Sequence, residues 1–369
     1  MTIRIGTFNA ENLFRRPKAF ALDSGAERRR ILEDFTKLVA LLDLDVYTAA
    51  DQRKIAALIT KHHADDDRRN SPRPFFVNQT RGGAKLYTKP RGGEIKIVAE
   101  GRPHWTGWAE LVRDDLAWEA VENTGRVIAE VDADILLTVE VEDRLTLDRF
   151  NTQVLGDELG ATPYPFNMLV DGNDSRGIDV GILSRHPITS VRPHLFDPGP
   201  SGVPVFSRDC PEFEIRLGNG ETLWILGNHF KSKGFGNAQE NDERRKAQAD
   251  RVRQIYEAAL EHSAHVVVAG DLNDTPDSAP VTTLLNAGLQ DAMSHPAYTG
   301  DPGTYETGTR INQKIDYVML SPKLWDTVEH VNVERRGVYA PRTFKSFLTV
   351  TSKANQASDH AALYADLDI

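Results

Sequence analysis

The chain alternates short apolar runs with polar clusters, and the period of each run predicts its element. Residues 3–8 (IRIGTF) predict a strand close to the first residue. Ile31, Leu32, Phe35, Leu38, Val39 and Leu42 fall at helical spacing, so an amphipathic helix is expected over 28–43, with a second short helix over 51–62. A charged, Pro-bearing break follows, HHADDDRRNSPRPFF, and then two RGG turns separate strand-like runs between 75 and 98. From Trp118 the pattern becomes regular. Helices are expected over 117–131, 241–261 and near 279–287, and strands over 133–141, 177–184, 212–217, 222–230, 265–271, 314–320 and 361–367. In the 241–261 helix the apolar stripe is Val252, Ile255, Tyr256 and Ala259. Strands that outnumber helices, partly alternating and partly in runs, predict layered sheets covered by helices.

Composition narrows the class. With 369 residues, 40% of them hydrophobic and 27% charged, the chain has an ordinary globular balance. No apolar run approaches the ~18 residues of a membrane span, and MTIRIGTFNAENLF has no apolar core or cleavage site of a signal peptide. Cys210 is the only cysteine, so no intrachain disulfide forms and a reducing, cytoplasmic setting is expected. A net charge of −10 argues against a simple basic nucleic-acid binder, yet residues 15–113 carry +7 and the remainder −17.

The polar residues fall at strand ends. FNAEN carries Asn9 and Glu11; LLTVEVED carries Glu140; GNHFKSKG carries Asn228 and His229; GDLND carries Asp271 and Asn273; KIDYVML carries Asp316; SDH carries Ser358, Asp359 and His360. One carboxylate at a strand end is commonplace, because Asp, Asn and Gly suit turns. Six such ends with this mixture predict one convergent site. Several carboxylates with amides and two imidazoles, and no Cys cluster, suit a hard cation such as Mg2+ or Mn2+. The same groups suit in-line attack of water on phosphorus.

The ordered set FNAEN, ADILLTVEVED, NHFKSKG, GDLND, KIDYVMLS and SDH resembles the endonuclease/exonuclease/phosphatase superfamily, in its bacterial nuclease-like form, over residues 1–14 and roughly 117–369. That superfamily includes deoxyribonuclease I, exonuclease III, sphingomyelinases and inositol polyphosphate 5-phosphatases. The resemblance implies a four-layer α/β sandwich, two mixed and largely antiparallel sheets face to face between helices, and a Mg2+- or Mn2+-dependent phosphoric ester hydrolase. It implies a metal site of Glu140 with Asn9, Glu11 and Asp359. Glu11 acting behind a ligand, and Asp359 capping a turn, stay open. Asp271 would align or deprotonate water, the Asp316–His360 pair would act at the scissile phosphate, and Asn9, Asn273, His229 and Arg208 (from FSRDCPEF) would contact phosphate oxygens. The implied substrate is nucleic acid, DNA first, cut with little sequence preference and without a membrane partner. A phosphomonoesterase, a lipid phosphodiesterase or an inactive binding protein are the alternatives.

Residues 15–116 depart from that pattern, where family members have a much shorter link. Two readings stand: a basic subdomain that grips substrate with Phe75, Phe76, Tyr87, Trp105 or Trp108, or a cap whose aromatics form its own core. Asp274 and Asp277 are expected to be turn or cap residues, Arg244 and Arg245 a solvated helix face, and Asp171 and Asp174 either turn residues or groups that orient His229.

Overall fold

The computed structural model describes residues 1–13, 25–66, 73–80, 82–90, 93–112, 118–174, 177–199, 202–233, 237–307 and 310–369. The chain divides into two compact units, one of Met1–Phe14 with Leu116–Ile369 and the other of Arg15–Asp115.

Among the described residues the larger unit holds fourteen strands. They are β1 (Thr2–Leu13), β2 (Ile135–Val141), β3 (Phe166–Leu169), β4 (Asp179–Ser184), β5 (Ile188–Arg192), β6 (Glu212–Arg216) and β7 (Thr222–His229), then β8 (Val266–Asp271), β9 (Gln290–Asp291), β10 (Tyr305–Thr307), β11 (Arg310–Gln313), β12 (Asp316–Leu320), β13 (Val328–Glu334) and β14 (Ala362–Asp368). Two six-stranded sheets form, in the orders β13-β14-β1-β2-β4-β3 and β9-β12-β8-β7-β6-β5, while β10 and β11 make a separate hairpin. Each large sheet has a single parallel pair, β1/β2 and β7/β8, and every other pairing is antiparallel. A parallel pair needs a crossover helix. Helix α1 (Trp118–Val131) precedes β2, and α2 (Ala238–Leu260) connects β7 to β8.

Period-two alternation explains the layers. Ile135, Leu137, Ile225, Val267, Ala269 and Val318 share one core between the sheets. Their neighbours point outward. Leu136 packs with Val127 and Ile128 of α1, and Leu226, Val266 and Val268 pack with Val252 and Ile255 of α2. The fold is therefore the four-layer sandwich, helix on sheet on sheet on helix. The VVVA run of β8 lacks polar alternation because both of its faces are covered.

The unit Arg15–Asp115 has helices over Gly25–Leu42 and Ala49–Lys61, the second opened by a Thr48–Asp51 capping box. Phe75–Gln79 pairs antiparallel with Gly107–Leu111. Phase 3.6 spacing puts Leu38, Leu42, Ile55 and Ile59 into a core that also takes Phe75, Tyr87 and Trp105. Those three aromatics are thus packed inside the unit, while Trp108 is half exposed. His62 closes the second helix and pairs with Asp34 at 2.9 Å.

Candidate active site

Parallel strands end on the same side, so β1 and β2 in one sheet and β7 and β8 in the other deliver their C-terminal residues to one edge of the sandwich. Antiparallel β12 and β14 start there. In register, His229 lies beside Asp271 and Asp271 opposite Asp316. Asn9, His229, Asp271, Asp316 and His360 are all buried.

Three of the six polar strand ends leave the sheet through left-handed backbone: Glu11 (φ 47°), Glu140 (φ 63°) and Asn273 (φ 52°). Non-glycine residues rarely adopt it, and its clustering at one place is stored strain of the kind functional sites hold. At Glu140 the cause is a bulge, since the register of β2 shifts between Val139 and Val141. Both valines stay fully buried while Glu140 turns toward the edge. Gly270 (φ 131°) serves the same end in β8: a Cβ there would lie 1.9 Å from the Asn228 carbonyl oxygen.

Asn9 is the centre of the cluster. Its Oδ1 accepts the Glu11 N–H at 3.2 Å, which turns the amide Nδ2 toward Glu140 Oε1 (3.4 Å), Asp271 Oδ2 (3.3 Å) and His360 Nε2 (3.4 Å). His229 Nε2 stands 3.7 Å from both Glu140 Oε1 and Asp271 Oδ2. Asn273 donates its backbone N–H to Asp271 Oδ1 (2.8 Å) and its Nδ2 to Asp271 Oδ2 (3.0 Å). His360 Nδ1 donates to Asp316 at 2.9 Å, and its Nε2 is 3.7 Å from Asp359 Oδ1. Glu11 accepts the Asp359 N–H at 2.8 Å.

These contacts shift proton affinities. Burial pushes the Asp271 carboxyl up to about 7; the charge of His360 opposes this, and Asp316 and Glu140 add to it. For His360, burial disfavours the charged ring, but Asp316 beside it, with Asp271 and Asp359, outweighs burial and holds it well above the ordinary histidine range.

Arg208 stands one carbonyl away. Its Nη1 donates to Phe230 O at 3.0 Å, the oxygen that also accepts from Asn273 Nδ2 at 3.2 Å, and its Nε faces Asp174 Oδ2 at 3.0 Å. Asp174 therefore pairs with Arg208. Two further expectations give way. Arg245 is buried and donates to Asp274 Oδ2 at 2.9 Å, so it is no solvated helix residue. Asp274 is an ion-pair partner of Arg245 and Lys233 rather than a turn residue alone, because an arginine inside the fold needs a carboxylate.

Three further side chains hold the cluster in place, and sequence reasoning named only Ser358 among them. Ser358 Oγ donates to Asn9 O (2.7 Å) and accepts from His360 N (3.0 Å). Thr304 Oγ1 accepts the N–H groups of Ile315 and Asp316, both at 3.2 Å. The Tyr305 ring lies 4.7 Å from the His360 ring, centroid to centroid. Burial, with Asp359, Glu11 and Asp271 nearby, raises the proton affinity of the Tyr305 hydroxyl. SDH carried a signal for Ser358; the hairpin carrying Thr304 and Tyr305 had none.

Glu140, Glu11, Asp271, Asp316 and Asp359 bring five carboxylates against two imidazoles. Atoms of Asp271, Asp316 and His360 converge within 4.8 Å of one another. Such a crowd of oxygen donors, with Asp271 and Asp316 buried, fits a hard divalent cation, whose charge would relieve the repulsion seen at Asp271.

The model of the Endonuclease/Exonuclease/phosphatase family matches residues 118–360. The chain belongs to this family. Its members are phosphoric ester hydrolases that generally use divalent metals. No curated protein matches the chain. Among solved structures, a truncated Caenorhabditis elegans TDP2 is similar at 18% identity and a TM-score of 0.46, over 68% of this chain and 90% of that one. The 3' phosphatase NExo from Neisseria, bound to product DNA hairpin, is similar at 15% and 0.46, over 66% and 92%. An endonuclease/exonuclease/phosphatase from Bacteroides vulgatus is similar at 16% and 0.49, over 68% and 91%. Among the described residues no helix is long and apolar enough to cross a membrane.

Proposed function

We propose that this protein is a divalent-metal-dependent phosphodiesterase that hydrolyses nucleic acid, DNA foremost, with little sequence preference. The observation that carries the reading is the convergence of Asn9, Glu140, His229, Asp271, Asn273, Asp316 and His360 at one edge of the two sheets. Glu140 would hold Mg2+ or Mn2+, with Glu11 and Asp359 beside it. When bound, the ion polarises the phosphoryl group and stabilises charge on the leaving oxygen.

The protein groups divide the remaining work. Asp271, with its affinity for a proton raised by burial, takes the proton of the attacking water. Asn9 turns its amide N–H groups toward the phosphate oxygens, and its Oδ1, which accepts the Glu11 N–H, keeps a second lone pair for the metal beside Glu140. His229 and Asn273 donate from the other sheet. His360, kept charged by Asp316, faces the negative charge that builds on the phosphoryl oxygens. Arg208, bound to Phe230 O and Asp174, acts by holding the Asn273 side of the site. The +7 charge of residues 15–113 supports a polyanionic substrate, held through phosphates rather than bases.

The test is incubation with supercoiled plasmid, labelled oligonucleotides, inositol phosphates and sphingomyelin, each with Mg2+ or Mn2+ and again with chelator. Cleavage of DNA that chelation abolishes is expected. Hydrolysis confined to inositol phosphates or sphingomyelin would replace the substrate assignment, and metal-independent hydrolysis would remove the mechanism.

A further inference from the structure

One surface at the same edge of the fold is built as a binding groove and has no part in the cluster above. Residues 335–358 join β13 to β14 and run directly into Asp359 and His360. In a protein of net charge −10, this stretch carries five Arg and Lys and no Asp or Glu.

The segment is a clamped platform. Asn123 Nδ2 of α1 donates to Asn355 O (2.6 Å), Thr124 Oγ1 donates to Ala357 O (2.7 Å), and Thr349 Oγ1 donates to Asn123 Oδ1 (2.6 Å). Val338, Ala340 and Val350 are buried, and Phe344 and Phe347 pack on the two cores of the first sheet. Thr343 Oγ1 accepts from Ile311 (3.2 Å) of the hairpin whose Tyr305 ring lies tilted against His360. The platform is thus tied to the reactive centre at both ends.

Three of its five cations are committed to the fold. Arg335 donates to Gly303 O at 2.9 Å, Arg336 pairs with Glu334 and Glu130 at 2.6 Å, and Lys353 pairs with Glu306 at 2.5 Å. Arg342 and Lys345 are exposed and have no hydrogen bond or ion pair among the described residues. Lys345 and Leu348, which is 85% exposed, border a groove of about 430 Å³ lined also by Tyr339, Pro341, Phe344 and Phe347, and Arg342 follows Pro341 in the chain.

We infer that this groove is a subsite for a single-stranded nucleic-acid segment flanking the scissile phosphate, with an unpaired base against Tyr339 and Leu348 and its phosphates on Arg342 and Lys345. Aromatic walls with cations at the rim are what a base and its backbone require, since every base has a face to stack and every linkage a charge. A free duplex offers the charges but no base face, so substrates with a single-stranded extension bind more tightly. This rests on the nucleic-acid reading of the active site.

The test uses the full chain and labelled duplexes with and without a short single-stranded extension. Wild-type protein is expected to show the lower KM on the extended duplex. The Arg342→Ala/Lys345→Ala double variant is expected to raise that KM about tenfold with kcat unchanged. Its salt slope should fall by about two, one for each lost phosphate contact. Tyr339→Leu is expected to erase the preference for the extension and to leave the salt slope alone. Unchanged KM and salt slope in the double variant, with DNA still cut, would overturn the subsite and leave the active-site reading standing. Hydrolysis of bis(p-nitrophenyl) phosphate but of no nucleic acid by wild type would sink the underlying reading instead. Binding of anionic phospholipid vesicles that Leu348→Ser abolishes, with no effect on DNA, would assign the surface to lipid and overturn the proposal.

Discussion

Replacing Asp179 by Asn should stabilise the protein at alkaline pH and do little in acid. Asp179 begins β4, is 3% exposed, and among the described residues accepts a single hydrogen bond, from Gly172 N at 2.9 Å. Burial raises its carboxyl from 3.8 to about 7; Asp171 and Asp174 add to this, and the Gly172 bond and the charge of Arg208 oppose it. The folded state therefore binds the proton more tightly than the unfolded chain. Stability from this group is complete below pH ~4 and is lost as pH rises through about 7. At 1.36 kcal/mol for each tenfold step the full loss is about 4 kcal/mol, and partial hydration reduces it to about 2. Asn stays neutral throughout and its Oδ1 can still accept from Gly172. Urea unfolding of metal-free protein at about pH 4.5 and about pH 8.5, either side of the folded-state value of about 7, measures this. The variant's advantage should grow by about 2–4 kcal/mol between the two conditions with m unchanged. An advantage independent of pH would refute the claim that Asp179 is protonated in the folded protein near neutrality.

The remaining predictions concern the reactive edge. Asp271→Asn should lower nucleic-acid turnover by about 10²- to 10⁴-fold with the urea midpoint retained, and near-normal turnover would remove its role as base. Glu140→Ala and Glu140→Gly should both be inactive, but Gly should be more stable by about 1 kcal/mol because Glu140 sits at φ 63°. Equal unfolding midpoints would mean that the bulge holds no strain. Gly270→Ala should cost about 4 kcal/mol or more, since the new methyl meets the Asn228 carbonyl at 1.9 Å; a soluble variant of wild-type stability would show that β7 and β8 can separate there.

Local pattern was enough to predict most of the scaffold. The strands at 135–141, 222–229 and 266–271 and the helices at 118–131 and 238–260 are visible because burial on a sheet face or helix stripe imposes a period on the residues themselves. Edge strands escape this. Ile188–Arg192 and Val328–Glu334 bury few side chains, so their sequences hold little alternation, and the Phe150–Glu158 π-helical turn has no apolar period of its own. The residue types of the proposed active site were equally visible, because chemistry at phosphorus demands carboxylates, amides and imidazoles whatever surrounds them.

What tertiary structure alone decided is which of these groups meet and what each is worth there. Asn9 and His360 are 351 positions apart yet within 3.4 Å, and only two parallel strand pairs ending at one edge bring them together. The same packing turned Asp274 and Arg245 from surface residues into a buried pair, and left Lys345 without a partner among the described residues beside an aromatic groove. Sequence sets the donors and the local period. Distance, burial and neighbouring charge, which determine proton affinity and pairing, are properties of the folded chain.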